Sequence, residues 1–312
     1  MPRGSSSAMP QSNNLALTVA VHFLCLCAVG VPILVLFLVG KPFKRGFFCD
    51  DESLRYPFRD STVTSPMLYS YGILIPIIVM TVLEGMRAML RVHETIATSK
   101  KLLYKWKVPS SLQVLYMLVG VFLMGAAISQ LLTDIAKYTI GRLRPHFFDL
   151  CQPVNLKVLC AKPYTYVENF TCGSNATEHQ LKEMRLSFMS GHSSFSAYTM
   201  MYTVLYIHAR MPWRNSVAMA ARTVVQVALL SLAWYTALSR VSNYKHHWSD
   251  VLAGSAEGYL VAIVVVWGIA PLFNPHGGHL ITGGSETPIR TTYQTDLPLN
   301  LKSRSFHDVG VP

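Results

Sequence analysis

The sequence predicts an all-α, polytopic membrane protein with six transmembrane helices. Of its 312 residues, 51% are hydrophobic and only 14% are charged, whereas soluble domains usually carry about 25% charged residues. Six apolar stretches are each long enough to cross a hydrocarbon core of about 30 Å as a helix. They cover residues 15–39, 66–90, 112–132, 194–209, 217–238 and 251–273.

The first and fourth stretches need a further argument. The apolar run at 15–39 is too long for a signal peptide and follows almost no positive charge, so we expect an uncleaved span. The stretch at 194–209 is the weakest of the six because it contains several Ser, Thr and Tyr residues. An even number of spans places both termini on the same side of the membrane.

Loop residues indicate which side that is, although counting Lys and Arg does not decide it. Asn169 and Asn175 each begin a glycosylation sequon in the loop between spans three and four. Four of the six cysteines also lie in loops on that side, which fits an oxidising compartment and up to two disulfides. These four are Cys49, Cys151, Cys160 and Cys172. Their connectivity is open, free thiols or a metal site are the alternative, and we expect both termini in the cytoplasm.

One membrane domain, at residues 15–273, accounts for most of the chain. The flanking segments 1–14 and 274–312 are rich in small and polar residues and lack an apolar period, so we expect disordered cytoplasmic tails. The loop at about 141–190 is long enough for a small cap that carries sugars, but too short for a large separate domain.

Unusual polar residues collect at the non-cytoplasmic ends of the spans. Lys137 and Arg144 are seven residues apart, so they share a face if the third helix continues towards Pro145. Ser190 and Gly191 directly precede His192, and the free N–H groups at such a helix start form an anion site.

A third polar group joins spans five and six. It contains Ser239, Arg240, His246, His247 and Asp250. The spacing allows Asp250 to hold the His246 imidazole if the turn between them is helical. Together with His192, the two histidines and the carboxylate could also bind zinc, although a zinc site would not need three surrounding cations.

Each polar group alone has a simpler explanation, since Lys and Arg at span ends are usually interfacial anchors. Together they supply what phosphoryl transfer without a metal requires. Cations and helix-start N–H groups neutralise the phosphate oxygens, one histidine attacks phosphorus, and the other protonates the leaving oxygen. We therefore expect no cofactor and no metal.

These groups resemble the three motifs of the type 2 phosphatidic acid phosphatase superfamily. The motifs are K-x6-R-P at Lys137 to Pro145, P-S-G-H ending at His192, and S-R-x5-H-x3-D at Ser239 to Asp250. Met189 replaces the Pro of the second motif, as is common in the animal lipid phosphate phosphatases, which are the closest match. The resemblance begins in the first loop at Lys41 and extends to the sixth span.

The resemblance implies catalytic roles for three residues. His246 is expected to be the nucleophile that forms a phosphohistidine intermediate, and Asp250 to orient its imidazole. His192 is expected to act first as the general acid for the departing alkoxide and then as the base that activates water.

The resemblance also implies a phosphate cradle. Three cations are expected to bind the phosphate oxygens as charge-assisted donors, and Ser190 and Gly191 to complete the cradle, with Ser239 supporting it. The cations are Lys137, Arg144 and Arg240.

The implied substrates are phosphatidate, lysophosphatidate, sphingosine 1-phosphate and ceramide 1-phosphate. The implied partners are these lipids and the membrane, with homo-oligomers and without nucleic acid. We expect the plasma membrane, with the active site extracellular or lumenal.

Three other functions compete with this interpretation. A phosphatase for a soluble or polyprenyl phosphate would use the same fold. A non-catalytic scaffold or adhesion protein would not need intact histidines in both catalytic motifs. A transporter or channel would place its polar groups near the bilayer midplane rather than at one interface.

Overall fold

The computed structural model describes residues 15–98, 110–211 and 215–269. Helices dominate it, together with a short two-stranded antiparallel sheet. The helices are α1 (Leu15–Val39), α2 (Ser65–Thr98), α3 (Ser110–Ile140), α4 (Phe147–Cys151), α5 (Leu156–Leu159), α6 (Glu178–Glu183), α7 (Gly191–Arg210), α8 (Ser216–Ser242) and α9 (Trp248–Gly268). The strands are β1 (Phe47–Phe48) and β2 (Tyr166–Val167). The expected tails at 1–14 and 274–312 lie outside the described residues.

Within the described ranges, five helices are long and apolar enough to cross a membrane: α1, α2, α3, α8 and α9. The fourth predicted span corresponds to α7, which does not meet that criterion of composition. Its 20 residues would extend about 30 Å, the thickness of the hydrocarbon core. The prediction of a multi-pass helical membrane protein is confirmed, and its sixth span stays a prediction.

α7 is the central helix of the bundle, and this position explains its polar composition. It packs against α2, α3, α8 and α9. Its buried hydroxyls have partners inside the protein: Tyr198 donates to the Phe122 carbonyl over 2.7 Å, and Thr203 donates to the Thr199 carbonyl over 2.7 Å. Because these residues face protein rather than lipid, their hydroxyls are hydrogen-bonded within the bundle and carry little penalty.

Two glycines allow α9 to approach α7 closely. A Cβ atom at Gly254 would lie 2.5 Å from the Ser190 carbonyl oxygen, and one at Gly258 would overlap the Ser194 carbonyl oxygen. This small-residue stripe, with a four-residue repeat, is a common way for membrane helices to pack backbone against backbone. It places the start of α9 directly beside the start of α7.

Residues 40–64 and 141–190 form a cap over one end of the bundle. Its core contains a cluster of aromatic rings with centroids 5.0–5.3 Å apart. The rings belong to Phe47, Phe147, Phe148 and Phe170. The pairing of β1 with β2 joins the two cap segments, with Phe47 opposite Val167.

Two disulfides complete the cap and resolve the connectivity that the sequence left open. Cys49 pairs with Cys160, and Cys151 pairs with Cys172. The first bond links the two cap segments, whereas the second closes a loop within 141–190. Both sequon asparagines of the cap are exposed, at Asn169 and Asn175.

Candidate active site

A cavity of about 670 Å³ lies where the cap meets the bundle. Six of the nine residues that the motifs predict for catalysis and phosphate binding line it: Lys137, Arg144, Gly191, His192, Arg240 and His246. The other three, Ser190, Ser239 and Asp250, are buried outside its lining. The three motifs therefore meet at one place, although they are far apart in sequence.

Lys137 and Arg144 reach the cavity from different structural elements. Lys137 is on the last turn of α3, with its Nζ 3.4 Å from Asp134 Oδ1. The helix ends at Ile140 because Gly141 adopts a left-handed conformation with φ of 58°. The expectation of a shared helical face for Lys137 and Arg144 is therefore wrong, and the loop after Gly141 brings Arg144 back to the cavity.

Arg144 lies within the cap and is buried against an acidic partner. Its Nη2 donates to Glu183 Oε2 over 2.7 Å, and Glu183 also lines the cavity. Burial lowers the pKa of Arg144, while the neighbouring carboxylates of Glu183 and Asp250 oppose that shift. The guanidinium remains a cation at physiological pH.

The start of α7 has the geometry that the second motif predicts. Ser190 is the N-cap residue, and its hydroxyl oxygen accepts a hydrogen bond from the Ser193 backbone N–H over 3.4 Å. The Ser190 side chain therefore caps the helix rather than lining the cavity. Gly191 does line it, and a Cβ atom there would lie 3.0 Å from Lys137 Nζ. Glycine thus lets the ammonium group approach the helix start.

His246 is held by a backbone carbonyl. Its Nδ1 is 2.7 Å from the Ser187 carbonyl oxygen. Since a carbonyl only accepts, Nδ1 carries the proton, and Nε2 of the neutral ring keeps its lone pair. Burial and the guanidinium groups of Arg144 and Arg240 lower the pKa of His246 well below its ordinary value. The neutral ring is the form that can act as a nucleophile.

The expected hydrogen bond between Asp250 and the His246 imidazole is not formed, because His246 Nδ1 pairs with the Ser187 carbonyl. α9 begins at Trp248, which places His246 before the first helical turn and breaks the four-residue spacing. Asp250 Oδ2 instead accepts from the Ser187 hydroxyl over 2.6 Å and from the His247 backbone N–H over 3.1 Å. The carboxylate thus holds Ser187, and the Ser187 carbonyl holds His246.

Arg142 and Ser239 have structural positions around this arrangement. Arg142 Nη1 donates to Asp250 Oδ1 over 2.5 Å and to the Ser249 hydroxyl over 2.8 Å. Ser239 donates to the Thr236 carbonyl within α8. Arg142 lies between Lys137 and Arg144 in the first motif, but its contact with Asp250 could not be predicted from the sequence.

Lys245 is a cavity residue that sequence reasoning missed. It is buried, it lines the cavity, and its Nζ is 3.6 Å from the centre of the Phe58 ring. Burial and the nearby Arg144 and Arg240 lower its pKa to about 8. Its position directly before His246 was the available signal.

The loop that carries Lys245 and His246 is fixed by the cap. His146 Nδ1 is 2.8 Å from the Tyr244 carbonyl oxygen, and the Tyr56 ring stacks on the Tyr244 ring at 4.4 Å. Burial lowers the pKa of His146 to about 4, so its ring is neutral and donates through Nδ1. Both cap segments therefore hold the loop of the expected nucleophile.

Three buried nitrogen atoms of cavity residues have no hydrogen-bond partner among the described residues. They are Arg144 Nε, Arg240 Nε and His192 Nε2. Buried polar atoms in proteins are nearly always hydrogen-bonded, so an unpartnered set needs an explanation. Within the described ranges, the Nε atoms of Arg210 and Arg222 also have no hydrogen-bond partner and do not line the cavity, so what distinguishes the cavity is the convergence of three such atoms on one space. An anion with several oxygens would satisfy them together, since two of the three belong to permanent cations.

Comparison with known proteins gives consistent matches. The family model described as PAP2 superfamily matches residues 116–273. Phospholipid phosphatase 1 of Rattus norvegicus is 43% identical over 257 residues, which cover 82% of this chain and 86% of the relative. Phospholipid phosphatase 2 of Homo sapiens is 40% identical over 255 residues, covering 82% and 83%. A Drosophila melanogaster protein named "Putative phosphatidate phosphatase" is 46% identical over 273 residues, covering 85% and 72%. No solved structure matches the chain.

Proposed function

The chain belongs to the PAP2 superfamily and is a lipid phosphate phosphatase, and we propose that it cleaves lipid phosphate monoesters through a phosphohistidine on His246. The substrates that we propose are phosphatidate, lysophosphatidate, sphingosine 1-phosphate and ceramide 1-phosphate. The observation that carries the proposal is the set of unpartnered nitrogens of Arg144, Arg240 and His192 in the cavity that His246 shares.

In the first step, the Nε2 lone pair of His246 attacks phosphorus. The bond between phosphorus and the lipid oxygen breaks, and its electron pair stays on that oxygen. Burial and the nearby Arg240, Lys137 and Arg144 lower the pKa of His192, so we propose that the ring takes up a proton when the negative charge of the bound phosphate offsets these cations. His192 then donates this proton to the lipid oxygen, and the dephosphorylated lipid alcohol leaves. The phosphoryl group is now bonded to His246 Nε2, while the Ser187 carbonyl keeps the Nδ1 proton in place.

In the second step, neutral His192 takes a proton from water while the water oxygen attacks phosphorus. The bond between phosphorus and nitrogen breaks, its electron pair returns to Nε2, and inorganic phosphate leaves. His192 is again protonated, so the cycle balances without a metal or cofactor.

The surrounding groups act on the charge that spreads over the phosphoryl oxygens. We assign Lys137, Arg144 and Arg240 to these oxygens, together with the Gly191 N–H at the start of α7. Removing one such donor in other enzymes costs about 100- to 1,000-fold in kcat. Ser190 supports the cradle indirectly, by capping α7.

Asp250 is assigned as a positioning residue. It holds Ser187 at 2.6 Å and accepts the His247 N–H, so it joins the segment before α7 to the start of α9. The Ser187 segment precedes His192, and His246 directly precedes His247 at the start of α9. Ser239 supports the third motif from within α8.

We place the cavity on the extracellular or lumenal side, in the plasma membrane, with both termini in the cytoplasm. Two disulfides beside the cavity favour an oxidising compartment. The exposed Asn169 and Asn175 are accessible for glycosylation on the same side.

The test is phosphate release from lysophosphatidate by the full chain in detergent micelles, with EDTA present. We expect EDTA-insensitive release by the native protein and a loss of at least about 1,000-fold in His246→Ala. The matched control is His208→Ala, because His208 is exposed at the opposite end of α7. Native-level release by His246→Ala would contradict the assigned nucleophile, and complete loss with EDTA would contradict a metal-independent reaction.

The intermediate has a test of its own. p-Nitrophenolate is a good leaving group that needs little protonation, so p-nitrophenyl phosphate should phosphorylate His192→Ala. Without the base, hydrolysis is slow, and we expect an acid-labile, alkali-stable phosphoryl label to accumulate on the peptide that contains His246. Absence of label from rapidly quenched His192→Ala, with release still measurable, would contradict the covalent intermediate.

A further inference from the structure

The active-site cavity has an apolar part that the phosphate chemistry does not use. Away from the cations, it is lined by residues of α1 and α2: Gly30, Ile33, Leu34, Phe37 and Leu68. We call this part the apolar arm. The residues from α1 follow the spacing i, i+3, i+4, i+7, so they lie on one face of that helix.

The arm lies between two helices that both border α3. α1 packs against α3, whereas α2 packs against α3 and α7. Leu34 and Phe37 are 54% and 66% exposed, although they lie in a helix that is apolar enough to cross the membrane. The cavity therefore extends from the cationic cluster to side chains at the lipid-facing surface.

The C-terminal end of α1 is held close to the cations of the cavity by a contact with the cap. Lys182 of the cap donates from Nζ to the Phe37 carbonyl over 3.0 Å, and the same ammonium lies 5.3 Å from the centre of the Tyr138 ring. Tyr138 follows Lys137 and also lines the cavity. This contact keeps the apolar arm next to the place where the phosphate group is expected to bind.

Resting on the proposed function, we propose that the apolar arm binds the hydrocarbon chain of the phosphorylated lipid. The chain passes between α1 and α2 into the bilayer while the phosphate contacts Lys137, Arg144 and Arg240. A chain in this place avoids water along its length, which favours long-chain monoesters over soluble ones that present the same phosphate. The arm is thus the part of the site that selects for a lipid.

Gly30 offers a direct way to test the arm. A Cβ atom at Gly30 meets no atom within 4 Å, so a larger side chain there would occupy the arm without displacing the fold. Gly120 of α3 also has open space around its Cβ position and does not line the cavity. Gly30→Leu and Gly120→Leu therefore form a matched pair.

The first measurement compares kcat/KM for oleoyl lysophosphatidate and for p-nitrophenyl phosphate in the same micelles. For Gly30→Leu we expect at least a tenfold fall with the lipid and less than a twofold change with the soluble ester. Gly120→Leu should resemble the native protein with both. A Gly30→Leu variant that hydrolyses the lipid at the native rate would overturn the proposal, as would equal losses with the two substrates.

A second measurement does not depend on turnover. Hexadecylphosphonate carries the chain and an uncleavable headgroup, whereas inorganic phosphate carries only the charge. We expect both to raise the thermal unfolding temperature of the native protein, and only phosphate to do so for Gly30→Leu. If the native protein released no phosphate from any lipid, the proposed function would fail. The change in unfolding temperature caused by hexadecylphosphonate would then still test whether the apolar arm binds a hydrocarbon chain. Equal stabilisation of the native protein and of Gly30→Leu by hexadecylphosphonate would overturn the proposal.

Discussion

The helix bundle and the cap border the same cavity but are stabilised in different ways. In the bundle, α7 and α9 pack backbone against backbone at Gly254 and Gly258, and the Ser194 hydroxyl donates a hydrogen bond to Glu257. The cap has a small aromatic core, and its two segments are joined by a disulfide between Cys49 and Cys160. The bundle is thus stabilised by tight packing, whereas the cap depends partly on the redox state of its surroundings.

The two regions also contribute different parts of the site. Lys137, His192 and Arg240 belong to bundle helices, whereas Arg144 and Glu183 belong to the cap. The loop with His246 connects two bundle helices, but the cap holds it through His146 and Tyr56. Substitutions that disrupt the bundle should therefore eliminate activity, whereas substitutions that destabilise the cap should reduce the stability of the site.

The largest effect is expected from Gly258→Leu, which targets the bundle. A side chain there would overlap the Ser194 carbonyl and separate α9 from α7. We expect no folded, monodisperse protein in detergent, and so no activity, because overpacking of a rigid backbone contact is destabilising. Gly120→Leu is the matched control, and size-exclusion chromatography with thermal unfolding is the measurement. A native elution profile and unfolding temperature for Gly258→Leu would show that α7 and α9 are not tightly packed there.

An intermediate effect is expected from removing the disulfides of the cap. Disulfides typically stabilise by about 2 to 4 kcal/mol, and more for longer loops. The Cys49–Cys160 bond joins residues 111 positions apart, against 21 for Cys151–Cys172. We therefore expect the Ser double variant of the first pair to lose activity at a lower temperature than that of the second.

Thermal inactivation, followed as residual phosphate release, measures this difference. A reductant should lower the inactivation temperature of the native protein towards those of the double variants. Equal inactivation temperatures for all three proteins would mean that the cap does not depend on its disulfides.

The smallest effect is expected at Lys245, which lies where the bundle loop meets Phe58 of the cap. Its pKa is lowered to about 8, so the ammonium is charged below that pH and neutral above it. Because the charged form attracts phosphate, KM should rise several-fold as the pH passes upward through about 8. Lys245→Arg keeps its charge and should flatten this rise in a pH series of KM. An unchanged pH dependence in Lys245→Arg would assign the effect to another group.

The sequence was most informative where local chemistry determines the structure. The apolar stretches correspond to long helices. Ser190 is the N-cap residue of α7, as the Ser-Gly pair predicts. The two wrong expectations, a shared helical face for Lys137 and Arg144 and a hydrogen bond between His246 and Asp250, both assumed a helix that is absent. Gly141 ends α3 before Arg144, and α9 begins after His246, so neither helical spacing applies.

Other features depended on contacts that a single sequence does not encode. The disulfide pairing follows from how the two cap segments meet, through the pairing of Phe47 with Val167. Lys245 lies near the end of a span, where a Lys is usually an interfacial anchor. Only the structure shows that it is buried and lines the cavity. The low hydropathy of α7 reflects its central position, which only the packing of its neighbours reveals.

The ion pair between Arg144 and Glu183 has a consequence for which phosphates the site accepts. A ligand that binds at Nε of Arg144, which has no hydrogen-bond partner within the described residues, shares the guanidinium charge with a carboxylate that already accepts from Nη2 over 2.7 Å. A monoester brings nearly two negative charges and three terminal oxygens, whereas a phosphodiester brings one charge and two oxygens. Because Glu183 offsets part of the Arg144 charge, we expect the site to bind a doubly charged monoester more tightly than the singly charged diester headgroups of bilayer lipids.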